Sequence, residues 1–331
     1  MVEINKGILT KRIEWVDICK GLGICLVIIG HTSIANISPI LYDWIYSFHM
    51  PLFYMLSGLM FNPDKYDTLV KYLNRRVRSL IIPFLLLNTI LFILVRWTNL
   101  LYIQLQWTEL LTGVLAMYFI RVLFITELWY YLIDRCSSSV WFKLLVIIFS
   151  ILVCDYLRHV DPICWGSTRN EDMGVFLPSI ALFYYALGQT LRKYTLSMEV
   201  SSVSIVFWGS LLIVSTVISL VAIPICKGYI RLLPALSGIL SLVSLSILLS
   251  KLALKRFSDS ITYVGRNTLI IVAFHQIIYN GYKLMTSDWQ LLSMMDALIR
   301  ILLMAMTLWI LVEVTNKYCP WVIGKAKRDI L

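Results

Sequence analysis

Long apolar runs constrain the fold of this chain more than any other feature of its sequence. About ten segments approach the roughly 20 apolar residues that a helix needs to cross a lipid bilayer. Only 15% of the 331 residues are charged and 59% are hydrophobic, whereas soluble domains carry about 25% charged residues. The sequence therefore predicts an all-α, polytopic integral membrane protein, and it excludes a soluble enzyme, a disordered chain and a collagen-like fold.

The predicted spans share this apolar character and have few charges. They cover residues 16–36, 42–62, 79–98, 122–136, 140–158, 175–192, 203–225, 231–252, 262–282 and 294–318. The stretch 100–119 is apolar enough to be an interfacial or re-entrant segment, so the number of spans stays open by one. No predicted loop is long enough for a soluble domain, and residues 1–331 are expected to form one transmembrane domain.

The net charge of +10 predicts an orientation in the membrane. With the N-terminus inside the cell, most of the 29 Lys and Arg residues lie beside the cytoplasmic ends of the spans. Cytoplasmic loops of membrane proteins usually carry such an excess of basic residues. Both termini are therefore predicted to be cytoplasmic, and nucleic acid is not an expected partner. The first apolar run is interpreted as a retained helix because no cleavage signature follows it. The seven cysteines have no metal-ligand spacing, and pairing of Cys164 with Cys226 stays open.

Two ionisable residues in the first span are the clearest candidates for a functional site, since such groups are costly within a membrane. Lys20 and His31 are eleven residues apart, which is about three helical turns and about 16 Å of rise, so both lie on one stripe of a helix. Gly23 and Gly30 flank this stripe and suggest that it faces a narrow slot. Asp17 precedes Lys20 by three residues and is expected to pair with it.

A second basic cluster precedes the third span. Lys71, Arg75 and Arg78 are spaced i, i+4, i+7, so on a helix they form one cationic face that can hold phosphate oxygens. The alternative interpretation is ordinary charge that sets topology. Glu127 and His275 are further ionisable residues within predicted spans, and whether they meet His31 in one cavity stays open. His49 is interpreted as structural.

Five segments together resemble the membrane acyltransferase family 3, over nearly the whole chain. They are RIEWVDICKGLGICLVIIGHTS, YSFHMPLFYMLSGLMF, RRVRSLIIPF, LFYYALGQTLRK and ITYVGRNTLIIVAFHQ. The family's Arg or Lys, ten residues and then His match Lys20 and His31, and its Arg-x-x-Arg element matches Arg75 and Arg78. Less diagnostic matches are Ser57-Gly58, Pro83, and Gly265-Arg266-Asn267 with His275.

The resemblance implies an activity and its partners. It is closest to the branch that includes sugar O-acetylases of bacterial surface polysaccharides. It therefore implies ten helices, acetyl-CoA from the cytoplasm as donor, a hydroxyl of a surface sugar, polysaccharide or lipid-linked saccharide as acceptor, and the bacterial inner membrane as location. No metal is expected, and a homo-oligomer is not excluded. The chain departs from the family at Lys20, where Arg is commoner, and at Glu127-Leu-Trp-Tyr130, where an apolar stretch is usual. No separate soluble domain, such as some members carry, is expected.

The resulting hypothesis gives each candidate residue a role. His31 is the general base on the acceptor hydroxyl, since histidine has an ordinary pKa near neutrality. The predicted phosphate ligands are Lys20, Lys71, Arg75 and Arg78. The predicted supporting residues, which hold a neighbour, orient the acceptor or stabilise the oxyanion, are Asp17, Ser57, Glu127 and His275.

Three alternatives stay open at the level of sequence. His31 could itself become acylated before the transfer. A transporter or flippase would use midplane histidines and carboxylates as a relay, although no internal repeat is visible. The third alternative is a non-catalytic scaffold, a role that does not require Lys20 and His31 on the same face of a helix. The sequence does not identify the sugar or the acyl group.

Overall fold

The computed structural model describes residues 13–32, 34–62, 65–98, 105–160, 179–197, 203–226, 232–252, 254–286 and 293–324. All regular secondary structure in these ranges is helical, which confirms the predicted all-α class. Cys164, and both termini whose cytoplasmic placement was predicted, lie outside these ranges. The pairing of Cys164 therefore stays open, and the orientation of the chain stays a prediction.

The main helices are numbered here in chain order. They are α1 Glu14–Gly30, α2 Pro39–Met60, α3 Leu69–Thr98, α4 Tyr118–Cys136, α5 Val140–Val160, α6 Ser179–Ser197, α7 Ile205–Ile225, α8 Leu232–Lys251, α9 Lys255–Arg266, α10 Thr268–Met285 and α11 Ser293–Tyr318. Helix α3 contains a π-helical segment, Val77–Ile81. Shorter helical pieces are Ile34–Ile37, Glu109–Thr112, Leu115–Met117 and Pro320–Ile323.

Several helices are long and apolar enough to cross a membrane. Within the described residues there are five: α3, the helix that runs Leu115–Cys136, α7, α8 and residues Met294–Tyr318 of α11. This finding agrees with a polytopic membrane protein, while the count of ten spans stays a prediction.

Two predicted spans are interrupted in the structure. The first helix ends at Gly30, and a separate short helix, Ile34–Ile37, follows. The span predicted over 262–282 is divided at Asn267, between α9 and α10. The Asn267 side chain donates to the Tyr263 carbonyl at 2.9 Å, so it satisfies one of the carbonyls that a helix end leaves without an intrahelical partner.

The chain divides into two compact units, residues 1–59 with 188–268 and residues 60–187 with 269–331. In the first unit, α8 packs against α1 and α7, and α9 packs against α1. Helices α1 and α9 approach closely because both carry glycine where they meet. A Cβ atom on Gly265 would lie 1.9 Å from the Asp17 carbonyl oxygen, and one on Gly21 would lie 2.2 Å from the Ile261 carbonyl oxygen.

Hydroxyl groups join α7 to α8 within this apolar unit. Ser215 and Ser241 share a hydrogen bond of 3.0 Å, and Ser219 donates to the Pro234 carbonyl at 2.9 Å. Small hydroxyl residues are typical of contacts between membrane helices, since they permit close approach and hydrogen-bond across it.

The second unit is organised around α3 and α4. The π-helical segment of α3 packs against α4, and residues Pro320–Ile323 pack against Ile82–Thr98. Asn88 of α3 is fully buried. Its amide nitrogen donates to the Glu109 and Leu110 carbonyls at 2.9 Å each, and its oxygen accepts from the Val114 N–H at 2.7 Å. One buried side chain therefore holds the segment that leads into α4.

Candidate functional site

His31 occupies the first position after α1. Its backbone N–H donates to the Val27 and Ile28 carbonyls at 3.1 Å each, so the helical path continues to this residue. The imidazole is half-buried. Its Nδ1 atom lies 3.1 Å from the Tyr46 hydroxyl of α2. Tyr46 therefore orients the candidate base, and the sequence analysis did not single it out.

Tyr46 belongs to an aromatic row on one face of α2. Tyr42, Tyr46 and His49 are spaced i, i+4, i+7, so they lie on the same side of the helix. The Tyr42 and Tyr46 ring centroids are 4.2 Å apart, and those of Tyr46 and His49 are 4.9 Å apart. His49 is buried, and its Nδ1 atom hydrogen-bonds the Ile45 carbonyl of its own helix at 2.9 Å. This contact agrees with a structural role for His49.

The hydrogen bond between His31 and Tyr46 bears on the tautomer of the imidazole. A phenol oxygen can accept a hydrogen bond as well as donate one. When Nδ1–H donates to Tyr46, Nε2 carries the lone pair that a general base needs. The pair has the geometry of a base held by an orienting group.

Two glycines of α1 lie at its contact with α2. A Cβ atom on Gly23 would lie 2.9 Å from the Leu52 side chain, and one on Gly30 would lie 3.1 Å from the Tyr46 ring. These two glycines therefore let α2 pack closely on α1. A narrow slot along the stripe from Lys20 to His31 stays a prediction. Lys20 is half-buried within α1, and the helix is unbroken from Lys20 to Gly30.

Asp17 forms an ion pair that the sequence analysis did not predict. Its Oδ2 atom lies 3.2 Å from Nε of Arg266, which is the last residue of α9. This pair connects α1 to the Gly265-Arg266-Asn267 element that the resemblance pointed out. Ser57, the remaining candidate in this unit, lies half-buried in α2.

The three predicted phosphate ligands of the second unit are exposed. Lys71, Arg75 and Arg78 all lie on the surface of the N-terminal part of α3. Lys71 donates to the Asp67 carboxylate at 2.7 Å. The hydrogen bond and charge of Lys71 lower the pKa of the Asp67 carboxyl below its usual value. The cluster therefore contains one partly neutralised cation and two arginines.

Glu127 has a buried partner that the sequence analysis did not single out. Its Oε2 atom lies 2.9 Å from Nε of Arg76, and the two side chains are 4% and 19% exposed. The signal available in the sequence was the glutamate itself, because a carboxylate within a span needs a cation. The sequence did not show which of the neighbouring basic residues supplies that cation.

His275 is buried in α10 of the second unit. Its Nδ1 atom lies 2.9 Å from the Ile271 carbonyl and 3.0 Å from the Val272 carbonyl. The candidates thus fall into two groups. Asp17, Lys20, His31 and Ser57 belong to the first unit. Lys71, Arg75, Arg78, Glu127 and His275 belong to the second.

Comparison with known proteins matches the chain to a protein family. A family model described as an acyltransferase domain covers residues 13–314, which is most of the chain. No curated protein and no solved structure matches it.

Proposed function

The chain belongs to the acyltransferase 3 family, and from this premise we propose that it is a membrane O-acetyltransferase. It takes the acetyl group from cytoplasmic acetyl-CoA and transfers it to a hydroxyl of a cell-surface sugar, polysaccharide or lipid-linked saccharide. The family and the apolar helices support a membrane acyltransferase. The donor, the acceptor and a bacterial inner membrane are the proposed parts, and they come from the resemblance.

The chemistry needs a base, because a sugar hydroxyl is a weak nucleophile near neutral pH. In the proposed step, Nε2 of His31 takes the proton of the acceptor hydroxyl. The hydroxyl oxygen then bonds to the thioester carbonyl carbon, and the carbon–sulfur bond breaks. The thiolate leaves and takes up the proton from the imidazolium, which regenerates the neutral base and gives free CoA.

The observation that carries this proposal is the 3.1 Å contact between His31 Nδ1 and the Tyr46 hydroxyl. This contact orients a half-buried imidazole. In the tautomer in which Nδ1–H donates to the phenol oxygen, the lone pair is on Nε2. General bases in enzymes are commonly held in this way by an orienting partner.

Basic residues are the proposed ligands of the donor's phosphates. Lys20 lies at the other end of the stripe that ends at His31, and the rise between them is about 16 Å. Arg75 and Arg78, with Lys71, supply exposed cations, and arginine binds phosphate in a bidentate manner that lysine does not match. We propose that Lys20 contributes charge and that the arginines contribute directional hydrogen bonds.

The remaining candidates keep supporting roles. Asp17, bonded to Arg266, is proposed to stabilise the contact between α1 and α9 beside Lys20. Ser57 and His275 are proposed to orient the acceptor or the oxyanion. Glu127 acts through Arg76, as argued in the next subsection.

The experiment that tests the proposal is acetyl transfer by purified protein with and without His31. We expect His31→Ala to lower the rate by about a hundredfold or more, as loss of a general base does. His49→Gln is the matched control, since His49 is bonded within its own helix, and it should retain most of the rate. Folded His31→Ala protein that transfers acetyl at the wild-type rate would overturn the role of His31.

Two further readouts distinguish the alternatives. Quenched incubation with radiolabelled acetyl-CoA and no acceptor tests the acyl-histidine alternative, and failure to trap label on the protein argues against it. Mass analysis of surface polysaccharide from cells with and without the chain detects the added acetyl group, and fragmentation locates it on the sugar. A transporter or a scaffold would give no acetyl-CoA-dependent product with purified protein.

A further inference from the structure

A buried ion pair joins α3 to α4 in the second unit. Nε of Arg76 lies 2.9 Å from Oε2 of Glu127, and both side chains are largely removed from solvent. Charged groups in a membrane protein are costly unless they are paired. Removal of one partner from such a pair leaves the other charge buried without compensation, which strongly disfavours that arrangement.

Aromatic side chains surround both ends of this pair. Tyr185 and Tyr72 lie beside the pair and interact electrostatically with both charges. The Arg76 guanidinium also lies 5.6 Å from the centre of the Phe61 ring. Glu127 and the Phe61 ring both hold the Arg76 guanidinium, so one placement of Arg76 is favoured over its alternatives.

Tyr72 extends the same contact by one helical turn. It lies four residues before Arg76, is fully buried, and stacks on Tyr131 of α4 with centroids 4.2 Å apart and planes 3° from parallel. Residues spaced i, i+4 lie on one face of a helix. Tyr72 and Arg76 thus turn one defined face of α3 toward α4.

The same rotation of α3 sets the positions of the predicted phosphate ligands. At about 100° per residue of α-helix, Arg75 lies about 100° from Arg76, and Lys71 lies about 40° from Arg75 on the side away from Arg76. Arg78 lies in the π-helical segment and is exposed as well. These three residues are the ones that the structure leaves exposed. When Arg76 is directed inward, the three other cations share one outward face.

The backbone next to Arg76 makes a side-chain anchor useful. The π-helical segment Val77–Ile81 begins at the following residue and contains Arg78. A π-helical turn interrupts the regular α-helical hydrogen-bond ladder and often marks a functional position. The direction of Arg78 therefore depends on how the chain is held immediately before this turn.

We propose that the Arg76–Glu127 pair is a rotational lock on α3, and that both are positioning residues for a donor-phosphate face made of Lys71, Arg75 and Arg78. This inference rests on the proposed function, in which that face binds the phosphates of acetyl-CoA. Buried ionic groups are best known for specifying the register of helices. Here the rotation of α3 decides that Arg76 is largely buried and that the three neighbouring cations are exposed to solvent.

The decisive variant removes both charges at once. Arg76→Met with Glu127→Met keeps long side chains and leaves no buried charge alone, and such replacements are often neutral for stability. We expect the melting temperature in detergent to stay near the wild-type value. The KM for acetyl-CoA should rise about tenfold, which corresponds to the loss of about one charge-assisted hydrogen bond to the donor. The kcat at saturating donor should stay within about threefold of the wild-type value. A folded double variant with an unchanged KM for acetyl-CoA would overturn the lock.

A labelling experiment measures the rotation without any activity. Asn74 is exposed on α3, and Asn74→Cys is placed in a chain whose seven native cysteines are replaced. The rate of reaction with a membrane-impermeant maleimide in opened membranes should change at least twofold when Arg76 and Glu127 are both Met. An unchanged rate counts against a change of register. The charge swap Arg76→Glu with Glu127→Arg should return both readouts toward wild type.

A matched control is available in the same unit. Arg300 and Asp296 of α11 form another largely buried pair, in which Nη2 of Arg300 lies 2.7 Å from Oδ2 of Asp296. Replacement of both by Met should leave the KM for acetyl-CoA unchanged, since no predicted phosphate ligand adjoins them. An equal rise in KM for both double variants would mean that the effect is general loosening of the unit and would overturn the specific assignment.

One further variant separates this inference from the proposed function. Arg75→Ala with Arg78→Ala removes the phosphate ligands directly. If that variant keeps the wild-type KM for acetyl-CoA, the phosphate assignment fails, and the lock loses its purpose. If it raises KM while the Met double variant does not, the proposed function stands and the lock alone is wrong.

Discussion

The Tyr46 hydroxyl of α2 lies 3.1 Å from Nδ1 of His31, directly after α1, and this contact joins two helices at the candidate base. The aromatic rings also meet edge to face, with centroids 5.8 Å apart. Packing and hydrogen bonding therefore act together on the orientation of one imidazole. The contact makes Tyr46 the most informative residue to change beside His31 itself.

Tyr46→Phe should slow acetyl transfer without loss of the fold. The phenyl ring keeps its packing, and one hydrogen bond worth about 1 kcal/mol disappears, so we expect kcat to fall about five- to tenfold. The KM for acetyl-CoA should be unchanged. Tyr42 packs against the Tyr46 ring, so Tyr42→Phe is the control and should retain the wild-type kcat. Equal rates for both variants in a steady-state assay would contradict an orienting role for the Tyr46 hydroxyl.

Gly265→Ala should destabilise the first unit. The added Cβ would lie 1.9 Å from the Asp17 carbonyl oxygen, so α1 and α9 must separate, at a cost of about 1 to 3 kcal/mol. Thermal unfolding in detergent measures this loss.

Gly209→Ala is the comparison within the same unit. No atom lies within 4 Å of its Cβ position in α7, and replacing glycine by alanine within a helix is favourable by about 0.5 to 1 kcal/mol. The two variants should therefore shift the melting temperature in opposite directions. A Gly265→Ala protein as stable as wild type would show that the α1–α9 contact is looser than described.

Asn88→Leu should release the segment before α4. Asn88 is buried and makes three hydrogen bonds to the backbone of residues 109–114. Leucine leaves those groups without partners, at about 1 to 3 kcal/mol for each buried group. Hydrogen exchange of residues 109–114 should rise, while exchange in α7 stays constant. Thr98→Val, which loses one bond within its own helix, should leave that segment protected.

Asp67→Asn should strengthen donor binding slightly. It removes the carboxylate that pairs with Lys71 at 2.7 Å and makes the predicted phosphate face more positive. We expect the KM for acetyl-CoA to fall about twofold at low salt, the scale of an exposed ion pair, and the difference to vanish at high salt. A KM that does not respond at low salt would count against phosphate binding by Lys71.

The pH dependence of this pair follows from the direction of its pKa shift. Lys71 lowers the pKa of Asp67, so the pairing is fully present above the unfolded value and is lost as pH falls through the folded value. The ordinary value is 3.8. The difference between the wild type and Asp67→Asn should therefore stay constant at any pH above that value. A difference that disappears near neutral pH would implicate another group.

Much of the fold could be predicted because helix formation in a membrane depends on local composition. Apolar runs predicted the helices, and the structure differs mainly at their ends. The first predicted span stops at Gly30, and the ninth is divided at Asn267, where side chains and backbone turns decide the boundary. The presence of Gly23 and Gly30 was visible in the sequence, but the residues packed against them were not.

The candidate site could be predicted only in part. A spacing of eleven residues places Lys20 and His31 on one helix, whereas Tyr46, Arg266 and Arg76 became candidates only through their contacts with His31, Asp17 and Glu127. Among the neighbouring cations, the sequence analysis selected Arg75 and Arg78, and the one that the structure buries is Arg76.

The sequence by itself determined that the chain is helical and apolar enough for a membrane, because the bilayer and the backbone impose those requirements on every segment separately. It also determined which ionisable residues fall within apolar segments, where burying a charge is unfavourable and therefore points to a function. Only the tertiary structure decided which partner each of them has. A partner depends on how helices distant in the chain rotate and approach one another, and no local pattern encodes that rotation.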